Sequence, residues 1–431
     1  MQVLLLSGGS GKRLWPLSND IRSKQFLKVL KNPDGVSESM VQRVYRQIKE
    51  AGITSPVTIA TNKGQAESLL MQLGSDINLV LEPERRDTFP ALALACTYLA
   101  LEKDVSLDEV VVVLPVDVYA DVEYFSTLLA MEQVVRRGEA DIALMGITPD
   151  SPSEKFGYIL PGIEKGENVY EVKGFSEKPD LKRATQLLSE GAFYNGGVFA
   201  FKIGYLLNNK AILPPVTSYQ ERYESYGKLK KTSFDYEVVE HCSSLAMVPY
   251  SGDWKDLGSW NVLTTVLEDT CSGYGLVKED QGNTHVISEL DIPILALGTK
   301  NLIISASLDG ILVADADHCS TLKQHVLELS TSPRYEEFLW GASQVVDIPI
   351  LPDGNESHIR RLNISSNTHT KPTVNSTSLT MMTVITGTGM VIVGEESQKI
   401  KKGDVVRIPK GVNHQIFSEN ELIILEVEIA D

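Results

Sequence analysis

The stretch that decides the fold reads Val3-Leu4-Leu5-Leu6, followed by Ser7-Gly8-Gly9-Ser10-Gly11-Lys12-Arg13-Leu14-Trp15. Four consecutive apolar residues that break into small ones read as a buried strand ending in a glycine loop. Gly8, Gly9, Ser10 and Gly11 bring bare backbone N–H groups to the strand end, where a polyphosphate can approach the main chain. Lys12 and Arg13 add fixed positive charge at the same place. Two widespread phosphate loops fit poorly. The ATPase loop needs Ser or Thr after Gly-Lys, where Arg13 stands, and the dinucleotide fingerprint needs a third glycine, where Leu14 stands. Three glycines alone are also an ordinary turn of an α/β protein.

A chain of 431 residues is long for one domain, so two or three are expected. Its hydrophobic content of 42% is that of a soluble protein, and no apolar run reaches membrane-spanning length. The N-terminus lacks a basic region, a long apolar core and a cleavage site, and so reads as a first strand and not a secretion signal. Cys96, Cys242, Cys271 and Cys319 lie far apart, without a disulfide framework, which makes a reducing cytoplasm the expected compartment. A net charge of −17 argues against nucleic acid as a partner. A polyanionic nucleotide must then be held locally, by a few basic residues, backbone donors and a divalent metal.

Short β-rich runs alternate with helix-period segments through the first part of the chain. The runs 57–60, 79–81, 110–114 and 142–145 read as strands. Met40, Val41, Val44, Tyr45 and Ile48 fall at helical spacing, and 91–101 is a strong helix former. This repetition predicts an α/β fold, a doubly wound, mostly parallel sheet over residues 1–270, with ligands beyond the carboxyl ends of its strands. Residues 271–333 read as a small β-rich extension and 334–358 as a linker carrying Trp340-Gly341. Residues 359–431 are almost entirely short strands and predict an antiparallel barrel or jelly roll.

Gly-Gly-x-Gly-x-Arg followed by Lys24-Gln25-Phe26-Leu27 resembles the sugar-1-phosphate nucleotidyltransferases. Leu14-Trp15-Pro16-Leu17-Ser18 narrows the resemblance to the mannose-1-phosphate guanylyltransferases. It implies a sheet of the nucleotide-diphospho-sugar transferase type, followed by the extension and a cupin-like β-barrel. It also implies the reaction of GTP with mannose-1-phosphate, with Mg²⁺ as cofactor and a homodimer as the assembly. Such a transfer needs no covalent intermediate with the protein; alignment and neutralisation of charge are what it requires.

The resemblance assigns roles along the chain. Arg13 is expected to hold the β- and γ-phosphates in a fork, and Lys24 to neutralise charge around the α-phosphate. Asp117, in Leu114-Pro115-Val116-Asp117, and Asp256, in Trp254-Lys255-Asp256-Leu257-Gly258-Ser259-Trp260, are the expected metal ligands. An isolated aspartate is otherwise a turn residue or a helix cap. Glu82, in Glu82-Pro83-Glu84-Arg85-Arg86-Asp87-Thr88, is suited to accept from the guanine N1 and N2 donors, and Arg86 to meet phosphate or ribose. Glu177 and Lys178, in Phe175-Ser176-Glu177-Lys178-Pro179, are expected on sugar hydroxyls and sugar phosphate, although a Glu-Lys pair before proline is elsewhere a surface turn. Gly157 and Asn195 are expected on the sugar, and Asp235 either supports the site or caps a helix. Ser7, Ser23, Asp87, Phe89, Gly196 and Val198 depart from the family pattern. Asp87 and Phe89 bear on the nucleobase side, while Gly196, Val198 and the departure at Val116-Asp117-Val118 leave open another sugar-1-phosphate, such as glucose or a heptose. A catalytically silent nucleotide-sugar sensor is the rival from another class.

In bifunctional relatives the barrel is a phosphomannose isomerase whose metal is held by histidines and a glutamate. Here those positions fall near Asn375, Ser376, Thr377 and Thr380, which are poor ligands for a transition metal. His414 is expected to be a satisfied strand-end histidine, and the barrel to serve a structural, dimer-forming or regulatory role without isomerase activity.

Overall fold

Val3 and Leu5 pack into one hydrophobic core and Leu4 into another, as a strand covered on both faces requires. Val110, Val112 and Leu114 divide from Val111 and Val113 in the same way. The computed structural model describes residues 1–430 apart from 10, 20, 167, 330, 331 and 353. It separates into two units: Met1–Ser10 with Lys24–Leu267, and Gly11–Ser23 with Glu268–Asp431.

The first unit is built on nine strands. They are β1 (Gln2–Ser7), β2 (Val57–Asn62), β3 (Ile77–Glu82), β4 (Val110–Pro115), β5 (Ile142–Ile147), β6 (Tyr158–Gly166), β7 (Val169–Ser176), β8 (Phe193–Lys202) and β9 (Leu245–Tyr250). Their order in the sheet is β3-β2-β1-β4-β8-β5-β9-β7-β6. The pairs β3/β2, β2/β1, β1/β4 and β5/β9 are parallel, while β8 runs antiparallel between β4 and β5. One face carries helices Met40–Glu50 and Val122–Arg136, the other Thr88–Leu101. Ser39 opens the first of these with a capping box, its hydroxyl accepting from Gln42 N–H while the Gln42 side chain accepts from Ser39 N–H. Thr88–Leu101 is apolar nearly all round and almost wholly buried, the signature of a helix inside a core and not on a surface.

The second unit begins with a coil of short strands. Cys271–Ser272, His285–Ser288 and Leu302–Ser307 stack in parallel, as do Gly275–Lys278 and Ile294–Leu297, and Gly310–Asp315 closes the stack antiparallel. Beyond it two antiparallel sheets enclose Ile364, Met382, Val384, Val391, Ile408, Ile416 and Ile424. The expected linker over 334–358 instead contains two strands: Tyr335–Phe338 and Gly341–Asp347 form a hairpin at one edge of the six-stranded sheet. Its residues are only partly buried and include Glu336 and Glu337, so the alternation that marks a strand is missing from the sequence. Gly341 is indispensable to the pairing, because a Cβ there would lie 1.9 Å from Asn363 O at φ 140°.

A cavity of about 570 Å³ in this unit is lined by residues that include Trp340, Arg360, Lys371, His414 and Glu426. His414 is buried, and desolvation pushes its pKa down. Asn375 organises a turn, its Oδ1 accepting from the N–H groups of Thr377 and Ser378. Among the described residues no group of three or more His, Cys, Asp and Glu side chains is gathered for a metal.

Candidate active site

Strand pairing explains why distant segments meet. β1 and β4 are neighbours in register, Leu6 opposite Pro115, so the Ser7-Gly8-Gly9 turn and Asp117 leave the same edge of the sheet side by side. The ribbon Trp254–Asp256 pairs with Val118–Ala120, which sets Asp256 opposite Val118, and Leu257 N–H donates to Asp117 O at 3.0 Å. β8, being antiparallel, brings its first residues to that edge, with Asn195 opposite Gly146 of β5. β6 and β7 then place Gly157 and Glu177 beside it, since Tyr194 and Ser176 both pair with Tyr158.

The result is a cavity of about 230 Å³ lined by Asp117, Gly157, Glu177, Lys178, Asn195, Asp235 and Asp256 among others. Lys155 and the aromatic rings of Phe156 and Trp254 complete its wall. The rings meet edge-on with centroids 5.3 Å apart.

Lys24 is 6% exposed, on a 3-10 turn whose Gln25 donates to Ser7 Oγ at 3.1 Å. Its ammonium lies 2.6 Å from Asp117 Oδ2 and 4.0 Å from Asp256 Oδ1. Two carboxylates thus face the same ammonium. Mg²⁺ characteristically takes one or two carboxylates and completes its shell with water and substrate phosphates, so this donor pair fits it without a third side chain.

Glu177 is the most telling group of the sugar side. Its side chain is 4% exposed, and Oε2 is buried without a hydrogen-bond partner. That oxygen faces Gly157, where a Cβ would come within 2.3 Å of it. A buried orphan acceptor beside a bare backbone is a place for a ligand hydroxyl. Lys178, in contact with Glu177, adopts φ 44°, a conformation rare for a non-glycine and costing about 1–3 kcal/mol. Burial draws its pKa down, but the contact with Glu177 outweighs this and leaves it raised. Asn195 is fixed from both ends: Nδ2 donates to Asp235 Oδ1 at 2.6 Å, and Oδ1 accepts from Gly197 N–H at 3.2 Å. One amide hydrogen is left for a ligand.

Desolvation, reinforced by Glu177, lifts Asp235 from 3.8 to about 6. The folded state therefore holds a proton that the unfolded chain releases, and stability falls as pH rises from about 4 through 6. Asp235→Asn keeps the acceptor for Asn195 and removes that cost. It is expected to raise Tm by a few degrees near pH 7.5, with the gain fading toward pH 4, in thermal unfolding followed by circular dichroism.

The nucleotide side is less uniform. Gly8 faces Glu82, a Cβ there meeting Oε1 at 3.3 Å, and Gly9 stands open. Gln65 Nε2 approaches Gly9 O at 3.5 Å, so the turn is tied to the 3-10 turn that follows β2. Glu82 ends β3, is 8% exposed, and accepts from the buried Tyr226 hydroxyl at 2.6 Å. Desolvation raises its pKa against that hydrogen bond. Arg86 is put to other use than the one expected of it: its Nε and Nη2 donate to Leu229 O, at 3.2 and 2.9 Å, and Nη1 to Glu84. It clamps two loops and is absent from the residues lining the cavity. Ser10 lies outside the described residues. Gly11, Lys12 and Arg13 form a 3-10 turn of the second unit, with Arg13 exposed.

The sequence did not single out Lys155 or Tyr226. Lys155 stands in an exposed loop beside Phe156-Gly157, and Tyr226 reaches Glu82 across 144 positions of the chain. Adjacency to Gly157 was the one signal for the first; the second had none.

A buried lysine between two carboxylates, at the carboxyl edge of an α/β sheet beside a polar cavity, is the equipment of an enzyme working on phosphate esters. The nucleotidyl transferase family matches residues 2–284, and the chain belongs to that family of enzymes; the cupin domain family matches 362–428. It is similar to the mannose-1-phosphate guanylyltransferase of Escherichia coli (strain K12), 27% identical, over 99% of this chain and 94% of that one. It is likewise similar to the xanthan biosynthesis protein XanB of Xanthomonas campestris pv. campestris (strain ATCC 33913), 28% identical, again over 99% and 94%. A crystal structure from Thermus thermophilus, described as a mannose-1-phosphate geranyltransferase, matches with TM-score 0.65 at 27% identity. The match covers 77% of this chain and 99% of that one. No helix among the described residues is long and apolar enough to cross a membrane.

Proposed function

We propose that this enzyme transfers GMP from GTP to mannose-1-phosphate. An oxygen of the sugar phosphate forms a bond to the α-phosphorus, the bond to the β-phosphate oxygen breaks, and pyrophosphate leaves in line. The observation that carries this reading is one cavity lined both by Asp117 and Asp256, the carboxylates that face Lys24, and by Lys178 and Glu177 with its orphan oxygen. A phosphate-activating group and a sugar-binding group then share one chamber. The names of the full-length relatives supply guanine and mannose.

Asp117 and Asp256 would hold Mg²⁺, which neutralises phosphate charge and polarises the α-phosphate when bound. Lys24 balances charge that builds at the α-phosphate, and Lys178, a flexible point charge, follows the sugar phosphate. Glu177, Asn195 and the Gly157 backbone take sugar hydroxyls, with Asp235 fixing the Asn195 amide. Gly8, Gly9, Ser10, Gly11 and Lys12 are assigned to the triphosphate, and Arg13 to the departing pyrophosphate. Glu82 accepts from guanine N1 and N2. The Tyr226 hydroxyl orients that carboxylate, so Tyr226→Phe should raise the KM for GTP about 10-fold, leaving the KM for mannose-1-phosphate unchanged.

Leu276, Ile292, Leu295 and Leu297 are each more than half exposed on the coil, an apolar face that supports a homodimer. The four free thiols support a reducing compartment.

Pyrophosphate release with Mg²⁺, over a grid of nucleoside triphosphates and sugar-1-phosphates, tests the reading. Turnover confined to GTP with mannose-1-phosphate is expected. Turnover with GTP and another sugar would move the specificity of the pocket around Asn195. Silence across the grid from folded, GDP-mannose-binding protein would leave a sensor.

A further inference from the structure

Six charged side chains line the cavity of the first unit: the carboxylates of Asp117, Glu177, Asp235 and Asp256, and the ammoniums of Lys155 and Lys178. Asp117 and Asp256 are the pair that faces Lys24. On the sugar side Lys178 is cancelled by its contact with Glu177, which leaves Asp235. That carboxyl, with a pKa of about 6, is ionised above neutral pH. A phosphate monoester carries about −1.5 to −2 charge at pH 7, and without Lys155 it would meet a wall of its own sign. No ion pair among the described residues engages the Lys155 ammonium.

The loop that carries Lys155 is anchored on both sides of it. Ser153 N–H donates to the Tyr158 hydroxyl at 2.8 Å, and that hydroxyl donates back to Ser153 O at 2.9 Å, with Tyr158 wholly buried. Lys155 N–H donates to Ser153 Oγ at 3.2 Å. Glu154 Oε1 accepts from Leu181 N–H at 3.1 Å, at the start of helix Leu181–Ser189. Phe156 packs against Tyr194 and Trp254, with ring centroids 4.9 and 5.3 Å away. The backbone of Lys155 is thus held still at the cavity wall, while its exposed side chain keeps the reach of a flexible point charge.

We infer that Lys155 is a binding residue for the acceptor substrate: its ammonium shares the phosphate of the sugar-1-phosphate with Lys178. The subsite then selects by charge, holding a phosphorylated sugar where a free one gains nothing from this residue. This rests on the proposed transfer to a sugar-1-phosphate.

The test replaces the charge and keeps the stem. Lys155→Met should raise the KM for mannose-1-phosphate about 10-fold, the loss of one hydrogen bond to a charged group. The kcat, the KM for GTP and the Tm should stay near wild type, because the interaction is the same before and during transfer. Lys155→Arg should restore the KM. The gap between Lys155→Met and wild type should close as sodium chloride is raised, since an exposed charge is screened. A wild-type KM for Lys155→Met overturns the inference. So does a loss that Lys155→Arg fails to restore, or one that salt leaves unchanged, either of which would assign the residue to the shape of the loop. Failure of the underlying reading looks different: wild-type enzyme would release no pyrophosphate from GTP with any sugar-1-phosphate.

Discussion

Asp256→Asn is expected to leave the fold intact and remove most of the turnover, on the order of 100-fold or more in kcat. The backbone of this residue is set by the two-stranded ribbon with Val118–Ala120, which an asparagine forms equally well. The charge is what changes. Asp256 Oδ1 and Asp117 Oδ2 both face the Lys24 ammonium, and with one carboxylate lost the position is left with a single anionic ligand beside a fixed cation. The cluster then offers a divalent ion no net negative charge, and raising Mg²⁺ should recover only part of the rate. Steady-state kinetics across a Mg²⁺ series, alongside thermal unfolding, is the measurement. Turnover near wild type would remove Asp256 from the metal site.

Gly157→Ala is expected to be nearly as damaging, although it adds one methyl group. That methyl would lie 2.3 Å from Glu177 Oε2 and 3.2 Å from Asn195 Cβ. Gly157 O also accepts from Asn195 N–H at 2.8 Å, so the backbone cannot retreat without breaking the β6–β8 pairing. Glu177 must rotate away, taking its oxygen out of the cavity and pulling on Lys178. The KM for mannose-1-phosphate should rise on the order of 100-fold, with the KM for GTP little affected. Unchanged affinity for the sugar phosphate, measured by calorimetry, would mean that the Glu177 oxygen does not meet the sugar.

What the sequence disclosed and what it withheld divide along a physical line. The strand Gln2–Ser7 was legible because its buried faces leave no polar residue in the run 3–6. The edge that carries the cavity was legible because α/β topology sends every parallel strand's carboxyl end to one side. Asp117 and Asp256 stand 139 positions apart in the chain, but each sits at the end of a recognisable apolar or aromatic run. The hairpin at 335–347 was hidden by its half-buried, charged composition. The engagement of Arg86 was hidden because its acceptor is a backbone carbonyl, and a carbonyl carries no residue identity to read. Glu82 looked like a free recognition group, whereas its second oxygen is taken by Tyr226 from a different part of the chain. Patterns of period 2 and 3.6 report burial, and they are silent about which polar group answers another across the fold.

The division of the N-terminal loop between two units bears on how the chain is made. Asn19 leaves the ribosome 290 positions ahead of Asp309. At roughly 5–20 residues per second, segment 11–23 waits on the order of tens of seconds for the strands it packs with. A polypeptide released early, with every residue of the sheet in place, would still lack the partners of Pro16, Asn19 and Arg22.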